Sequence, residues 1–193
     1  PMYFINRDNK YIDMTQYTFK DYLEGKSINI THEATLKDWE DHLTTLFPQA
    51  RLKQYLEIRS MDACNWDLIC SQPAFWIGIL YDDEISNKIN EITEGWSEED
   101  REYLNQRVPE EGLQTEFKGK KLISYAKEFF NLSKKGLVKR NYLSKNDEFD
   151  ESIHMKDLEK NLENGFSPAD CLINKFNSSW SNSLMPIYKE LIF

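Results

Sequence analysis

Between residues 35 and 59 the hydrophobic pattern changes period. Leu36, Trp39, Leu43 and Leu46 recur at spacings of three and four, the stripe of an amphipathic helix. Thr35 and Asp38 have the spacing of a capping box at its start, and Pro48 ends it. The period then drops to two. In Arg51-Leu52-Lys53-Gln54-Tyr55-Leu56-Glu57-Ile58-Arg59 the odd positions are charged or polar and the even ones mostly apolar. Such alternation predicts a strand with Arg51, Lys53, Tyr55, Glu57 and Arg59 on one face.

The same reading places the other elements. Residues 2–6 and 10–13 form a hairpin around Asp8-Asn9, a pair suited to a tight turn. Thr18 to Leu23 is a short helix stopped at Gly25, followed by a polar loop over 26–34. Residues 66–81 are almost continuously apolar and predict a buried helix, with Pro73 at a kink or restart; helix continues through 82–94. Ser97 caps a helix with Glu98, Glu99 and Asp100 in its first turn. Pro109, Gly112 and Gly119 mark 106–119 as a loop, in which Arg107 could line a nucleotide cleft. Residues 120–135 are amphipathic again, and 144–150 form a polar loop. Ser167-Pro168-Ala169-Asp170 is a helix start, and 186–193 close with a short helix. The expected class is therefore α+β: a partial antiparallel sheet from 1–62, and a mostly helical part over 63–193 that covers one side of it. The strands are too few for a complete sheet, and the chain opens inside a structural element; both suggest further partners before Pro1.

Composition narrows the function. The 193 residues carry a formal net charge of −9, which argues against general nucleic-acid binding. Lys134, Lys135, Lys139 and Arg140 are the one basic cluster, read as a solvated helix C-terminus. No apolar run has the length of a membrane span, and no signal-peptide pattern is present. Cys64, Cys70 and Cys171 lack metal-ligand spacing and read as reduced thiols of a cytoplasmic protein, although Cys64 and Cys70 lie close to the charged strand. His32, His42 and His154 lack ligand spacing and suit surface or capping roles. Trp66, Trp76, Trp96 and Trp180 suit packing.

The charged strand supports two readings. In one, Glu57 holds Mg²⁺ while Arg59, two residues along the same face, reaches an oxygen of a phosphate on that ion; Arg51, Lys53 and Tyr55 then contact nucleotide or substrate. In the other, its charges face water and pair across the strand. Tyr3 and Arg7, on the first hairpin, are further candidates for the same cleft.

A resemblance bears on this choice. His42-Leu43-Thr44-Thr45-Leu46-Phe47-Pro48, the charged segment 51–59 and Pro73-Ala74-Phe75-Trp76-Ile77-Gly78-Ile79-Leu80-Tyr81-Asp82 resemble the C-terminal part of glutamate–cysteine ligases of the plant and proteobacterial type. The likeness extends from Pro1–Asp13 through Val108-Pro109, Gly112-Leu113, Thr115 and Ser167-Pro168-Ala169 to Glu190-Leu191-Ile192-Phe193. It implies a glutamine synthetase-like sheet and an ATP-dependent ligase that joins the γ-carboxylate of glutamate to the amine of cysteine. Glutamate is phosphorylated, and the amine attacks the acyl phosphate. It implies Glu57 as a Mg²⁺ ligand, Arg59 as the phosphate-binding catalytic group, and an N-terminal half of the ligase supplying other walls of the site. There are departures: Ser60-Met61-Asp62 stands where the family has Gly-Ala-Asp, and the region from Met14 to about Asn29 lacks the cysteine of a redox-linked pair. Two alternatives stay open: a related carboxylate–amine ligase using another amine, and a non-catalytic helical binding or regulatory module derived from the ligase.

Overall fold

The computed structural model describes residues 1–27, 31–62, 64–144 and 148–191. Parts of the expected loops 26–34 and 144–150, and the last two residues of the expected final helix, lie outside them. The chain divides into two units, Pro1–Met61 and Asp62–Phe193.

The first unit begins with β1 (Phe4–Arg7) paired antiparallel to β2 (Lys10–Asp13), with Ile5 opposite Ile12. Asp8 and Asn9 take φ of 52° and 60°, the left-handed pair that a two-residue hairpin turn requires. Helix α1 (Phe19–Leu23) is opened by a Thr18–Asp21 capping box, and Gly25 follows its C-terminus at φ 67°. Helix α2 (Leu36–Thr44) carries the expected Thr35–Asp38 box. Met2, Ile5, Met14, Phe19 and Tyr22 form the core, with Ile12, Tyr17 and Ala34 against it.

A buried ion pair fixes this unit. Arg7 donates from Nη1 to Asp38 Oδ1 and from Nη2 to Oδ2, both at 2.6 Å. Its Nη2 also donates to Tyr22 Oη at 3.0 Å and to the Glu33 carbonyl at 3.1 Å. Asp38 is 2% exposed and simultaneously accepts the Thr35 N–H and hydroxyl. Hydrogen bonds from Arg7 hold its carboxyl at about 2, below the ordinary carboxylate range. Arg7 is thus committed to joining β1 to α2 and does not face a cleft. His42, read above as surface or capping, instead stacks on Phe19 with ring centroids 5.2 Å apart. Burial lowers its pKa.

The rest of the first unit departs from the sequence expectation. The segment read as one strand is a hairpin: β3 (Ala50–Leu52) and β4 (Leu56–Ile58) pair antiparallel around Lys53-Gln54-Tyr55. Among the described residues the strands form two-stranded hairpins and no larger sheet.

The second unit is mostly helical. Helix α3 (Trp66–Leu80) is capped by Asn65 and runs continuously through Pro73. Asp82 caps α4 (Asp83–Thr93), and Ser97 with Asp100 boxes the start of α5 (Glu98–Glu111). The expected loop 106–119 is therefore half helix. Pro109 lies inside α5, two residues before its end, and Gly112 ends the helix at φ 56°. Arg107 lies on α5 in ion pairs with Glu110 and Glu111, so it is not a loop residue. Strands β5 (Glu116–Phe117) and β6 (Lys120–Lys121) make a third hairpin, which leads into α6 (Leu122–Arg140). Helices α7 (Lys156–Asn164), α8 (Pro168–Asn177) and α9 (Ile187–Glu190) follow.

Helices α3 and α6 cross at glycine. A Cβ on Gly136 would lie 1.9 Å from the Gly78 carbonyl oxygen, and one on Gly78 would lie 2.2 Å from that of Ser133. Fully buried Ser133 seals the crossing by donating to the Phe75 carbonyl at 2.7 Å. Around it pack Ala74, Phe130, Leu137, Met155 and Leu162. Three of the four basic residues in the last turns of α6 are paired: Lys139 with Asp82 and Glu84, Arg140 with Glu151, and Lys134 with Glu159. Of the tryptophans expected in packing roles, Trp180 is buried but Trp66, at the first position of α3, is 67% exposed.

Candidate functional site

The β3–β4 hairpin gathers three of the five candidate residues. In an extended strand Arg51 and Glu57 would lie about 20 Å apart; folding back at residues 53–55 puts them directly opposite. Arg51 donates from Nε to Glu57 Oε2 at 2.7 Å, and its Nη2 lies at the same distance from that oxygen. Arg59 continues beyond β4 on the Glu57 side and donates from Nη1 to Oε1 at 2.9 Å. One carboxylate therefore stands between two guanidinium groups. The hydrogen bond from Arg51 is the first cause of the lowered Glu57 pKa, so the group is ionised at neutral pH and the triad carries one net positive charge.

Lys53 and Tyr55 do not join it. They form the ends of the three-residue turn, where the Lys53 N–H donates to the Tyr55 carbonyl at 2.9 Å, and both side chains are exposed. Tyr3, the remaining candidate, is 57% exposed.

The segment before β3 braces the two arginines. Arg51 Nη1 donates to the Leu46 carbonyl at 3.3 Å. The Arg59 main-chain N–H donates to the Gln49 carbonyl at 2.8 Å, and its guanidinium carbon lies 5.0 Å from the centroid of the Phe47 ring. Sequence patterning did not single out Phe47 as a site residue; its only signal was its place in the block of family resemblance.

Chemically, this arrangement suits an anion with several oxygens. Arg59 engages Glu57 through Nη1, and a guanidinium fork can present its other N–H groups to phosphate or carboxylate oxygens. It does not amount to a Mg²⁺ site. Both oxygens of Glu57 are on guanidinium groups, and among the described residues no cluster of three or more His, Cys, Asp or Glu side chains could hold a metal. A Mg²⁺ site would need further carboxylates beside Glu57. The cysteines are free: Cys171 is exposed, and Cys64 and Cys70 are half-buried. Burial raises the Cys64 pKa, which disfavours the reactive thiolate. Among the described residues no helix is long and apolar enough to cross a membrane.

Comparison with known proteins supplies the family. Residues 1–190 match the model of glutamate-cysteine ligase family 2 (GCS2). The chain is 40% identical over its whole length to the chloroplastic glutamate–cysteine ligase A of Oryza sativa subsp. indica. It is 39% identical to the chloroplastic glutamate–cysteine ligases of Solanum lycopersicum and Arabidopsis thaliana. It spans 38% of the length of the rice protein and 36% of each of the others. The cytoplasmic expectation does not stand, since all three relatives are named chloroplastic; it rested on the absence of a signal-peptide pattern and on unpaired cysteines, and neither distinguishes cytoplasm from plastid. The extent and level of these matches establish that the chain belongs to glutamate–cysteine ligase family 2.

Proposed function

We propose that these residues form part of a glutamate–cysteine ligase that uses ATP, glutamate and cysteine. The observation that supports this most is identity of about 40% to named ligases along the entire chain. In this reading the Arg51–Glu57–Arg59 triad is one wall of the active site. Arg59 donates to oxygens of the phosphoryl group passing from ATP to the γ-carboxylate of glutamate and offsets the charge that builds there. Glu57 holds the forks of Arg51 and Arg59 in place, and Arg51 contributes a second positive charge. The amine of cysteine then attacks the acyl phosphate: a C–N bond forms, the C–O bond to phosphate breaks, and the amine gives up its proton. Lys53 and Tyr55, exposed at the turn, are assigned to nucleotide or substrate contact. The hairpins belong to a glutamine synthetase-like sheet completed by other parts of the ligase, and the relatives' names favour the plastid as its compartment.

These 193 residues alone are expected to be inactive, because the relatives use a chain more than twice as long. The test measures phosphate release dependent on ATP, glutamate and cysteine, by the isolated chain and by a full-length ligase carrying this segment. The latter is the natural chain or the rice relative with its matching segment replaced. Activity should appear only in the full-length protein, and Glu57→Gln should depress it. Turnover by the isolated chain would contradict the reading. Competing amines in the same assay separate cysteine from another amine as acceptor.

A further inference from the structure

We infer that Phe47 is a positioning residue for Arg59, acting through the face of its ring. This rests on the ligase reading of the hairpin. Phe47 is 68% exposed; burial therefore gives little reason for a phenyl group there. Its described partner is the Arg59 guanidinium, 5.0 Å from the ring centroid, within the range of a cation–π contact.

The contact is one of three by which a short segment grips the two arginines. The Leu46 carbonyl accepts from the Arg51 side chain, the Phe47 ring meets the Arg59 side chain, and the Gln49 carbonyl accepts from the Arg59 main chain. Pro48, between Phe47 and Gln49, has its φ fixed by its ring. Glu57 alone cannot define where Arg59 points, because it binds Nη1 only and leaves the plane of the fork free to turn about that hydrogen bond. The Phe47 ring beneath the guanidinium limits that freedom, leaving the remaining N–H groups of the fork available to an incoming anion. Misplacing a charge-stabilising group by about 1 Å is enough to slow a transfer step substantially.

The experiment uses the full-length ligase carrying this segment, with steady-state kinetics of Phe47→Leu, Phe47→Tyr, Arg59→Ala and Phe47→Leu/Arg59→Ala. Phe47→Leu should lower kcat about fivefold, the factor a cation–π contact of ordinary strength supplies, with the KM for glutamate unchanged. Phe47→Tyr retains the ring and should restore kcat. Once Arg59 is alanine, Phe47→Leu should have no further effect, because the ring acts only through the guanidinium. Wild-type kcat in Phe47→Leu beside an impaired Arg59→Ala would overturn the positioning role and leave the ligase reading standing. So would a Phe47→Tyr as slow as Phe47→Leu, or a double variant slower than Arg59→Ala. A fully active Arg59→Ala would instead overturn the site reading on which this one depends.

Discussion

At the centre of Pro1–Met61 lies a guanidinium–carboxylate fork, and at the centre of Asp62–Phe193 lies a contact between two glycines. Arg7 and Asp38 hold the first unit by charge and direction: a fork that fits one way, tied also to a helix cap, a tyrosine hydroxyl and a main-chain carbonyl. Gly78 and Gly136 hold the second by shape, allowing α3 and α6 closer than any side chain would permit. The second unit keeps its charges on the outside, as in the pairs of Lys139 with Asp82 and Glu84. The first unit uses the same chemistry in its interior as in its candidate site. Arg7–Asp38 and Arg51–Glu57–Arg59 are both carboxylates held by guanidinium forks. What separates them is access: Asp38 is sealed away, whereas the Glu57 triad is reached by solvent.

The largest effect expected from breaking either arrangement is at the helix crossing. Gly136→Ala forces a methyl group into a main-chain oxygen, which no rotamer change relieves. It should cost about 3 kcal/mol, the upper part of the usual range for overpacking. Urea unfolding of the protein with hydrogen exchange on the amides of α3 and α6 would check this. Unchanged protection there would mean the crossing is loose.

Next comes Asp38→Ala, which strands Arg7 and removes one half of the α2 capping box, the bonds from the Thr35 N–H and hydroxyl. A loss of about 2 kcal/mol is expected, below the range for a fully buried pair because the Arg7 side chain is 20% exposed. The same pair gives the first unit an acid dependence that the glycine crossing lacks. The folded Asp38 carboxyl titrates at about 2, against an ordinary 3.8, so the unfolded chain binds the proton more readily. The pair's contribution, again about 2 kcal/mol, is fully present above pH 4 or so and drains away as pH falls toward 2. Acid titration followed by exchange in β1 and α2 should show this loss in the wild type and a flatter profile in Asp38→Ala. The smallest effect is expected from Lys139→Ala: its side chain is 55% exposed, solvent screens the pair, and the unfolding midpoint should not move measurably.

Much of this architecture is legible in the sequence, because it is written in short-range chemistry. The Thr35–Asp38 box, the Ser97 and Ser167 caps and the Asp8-Asn9 turn each involve residues within three positions of one another. The β3–β4 hairpin is different. Its turn has three residues, so Arg51 pairs with Glu57 and Leu52 with Leu56; odd still faces odd and even still faces even. A period of two is the same for one strand and for two arms joined this way, and Lys53-Gln54-Tyr55 contains no glycine, proline or asparagine to mark a turn. Arg7 was legible only as a cation on a hairpin. That its charge is taken up by Asp38 depends on a contact 31 residues away, which no local pattern encodes. Pro109 misleads in the opposite direction: it reads as a breaker, yet α5 runs to Glu111.

The central claim is that the charged hairpin of the first unit belongs to the phosphoryl-transfer site of a glutamate–cysteine ligase. Its most direct test is kcat for phosphate release by the full-length ligase with Arg59→Ala. Loss of one preorganised charge stabiliser should lower kcat by about a hundredfold or more, with the protein still folded. Turnover within about twofold of wild type would contradict the account, leaving Arg59 as a surface cation resting on Phe47.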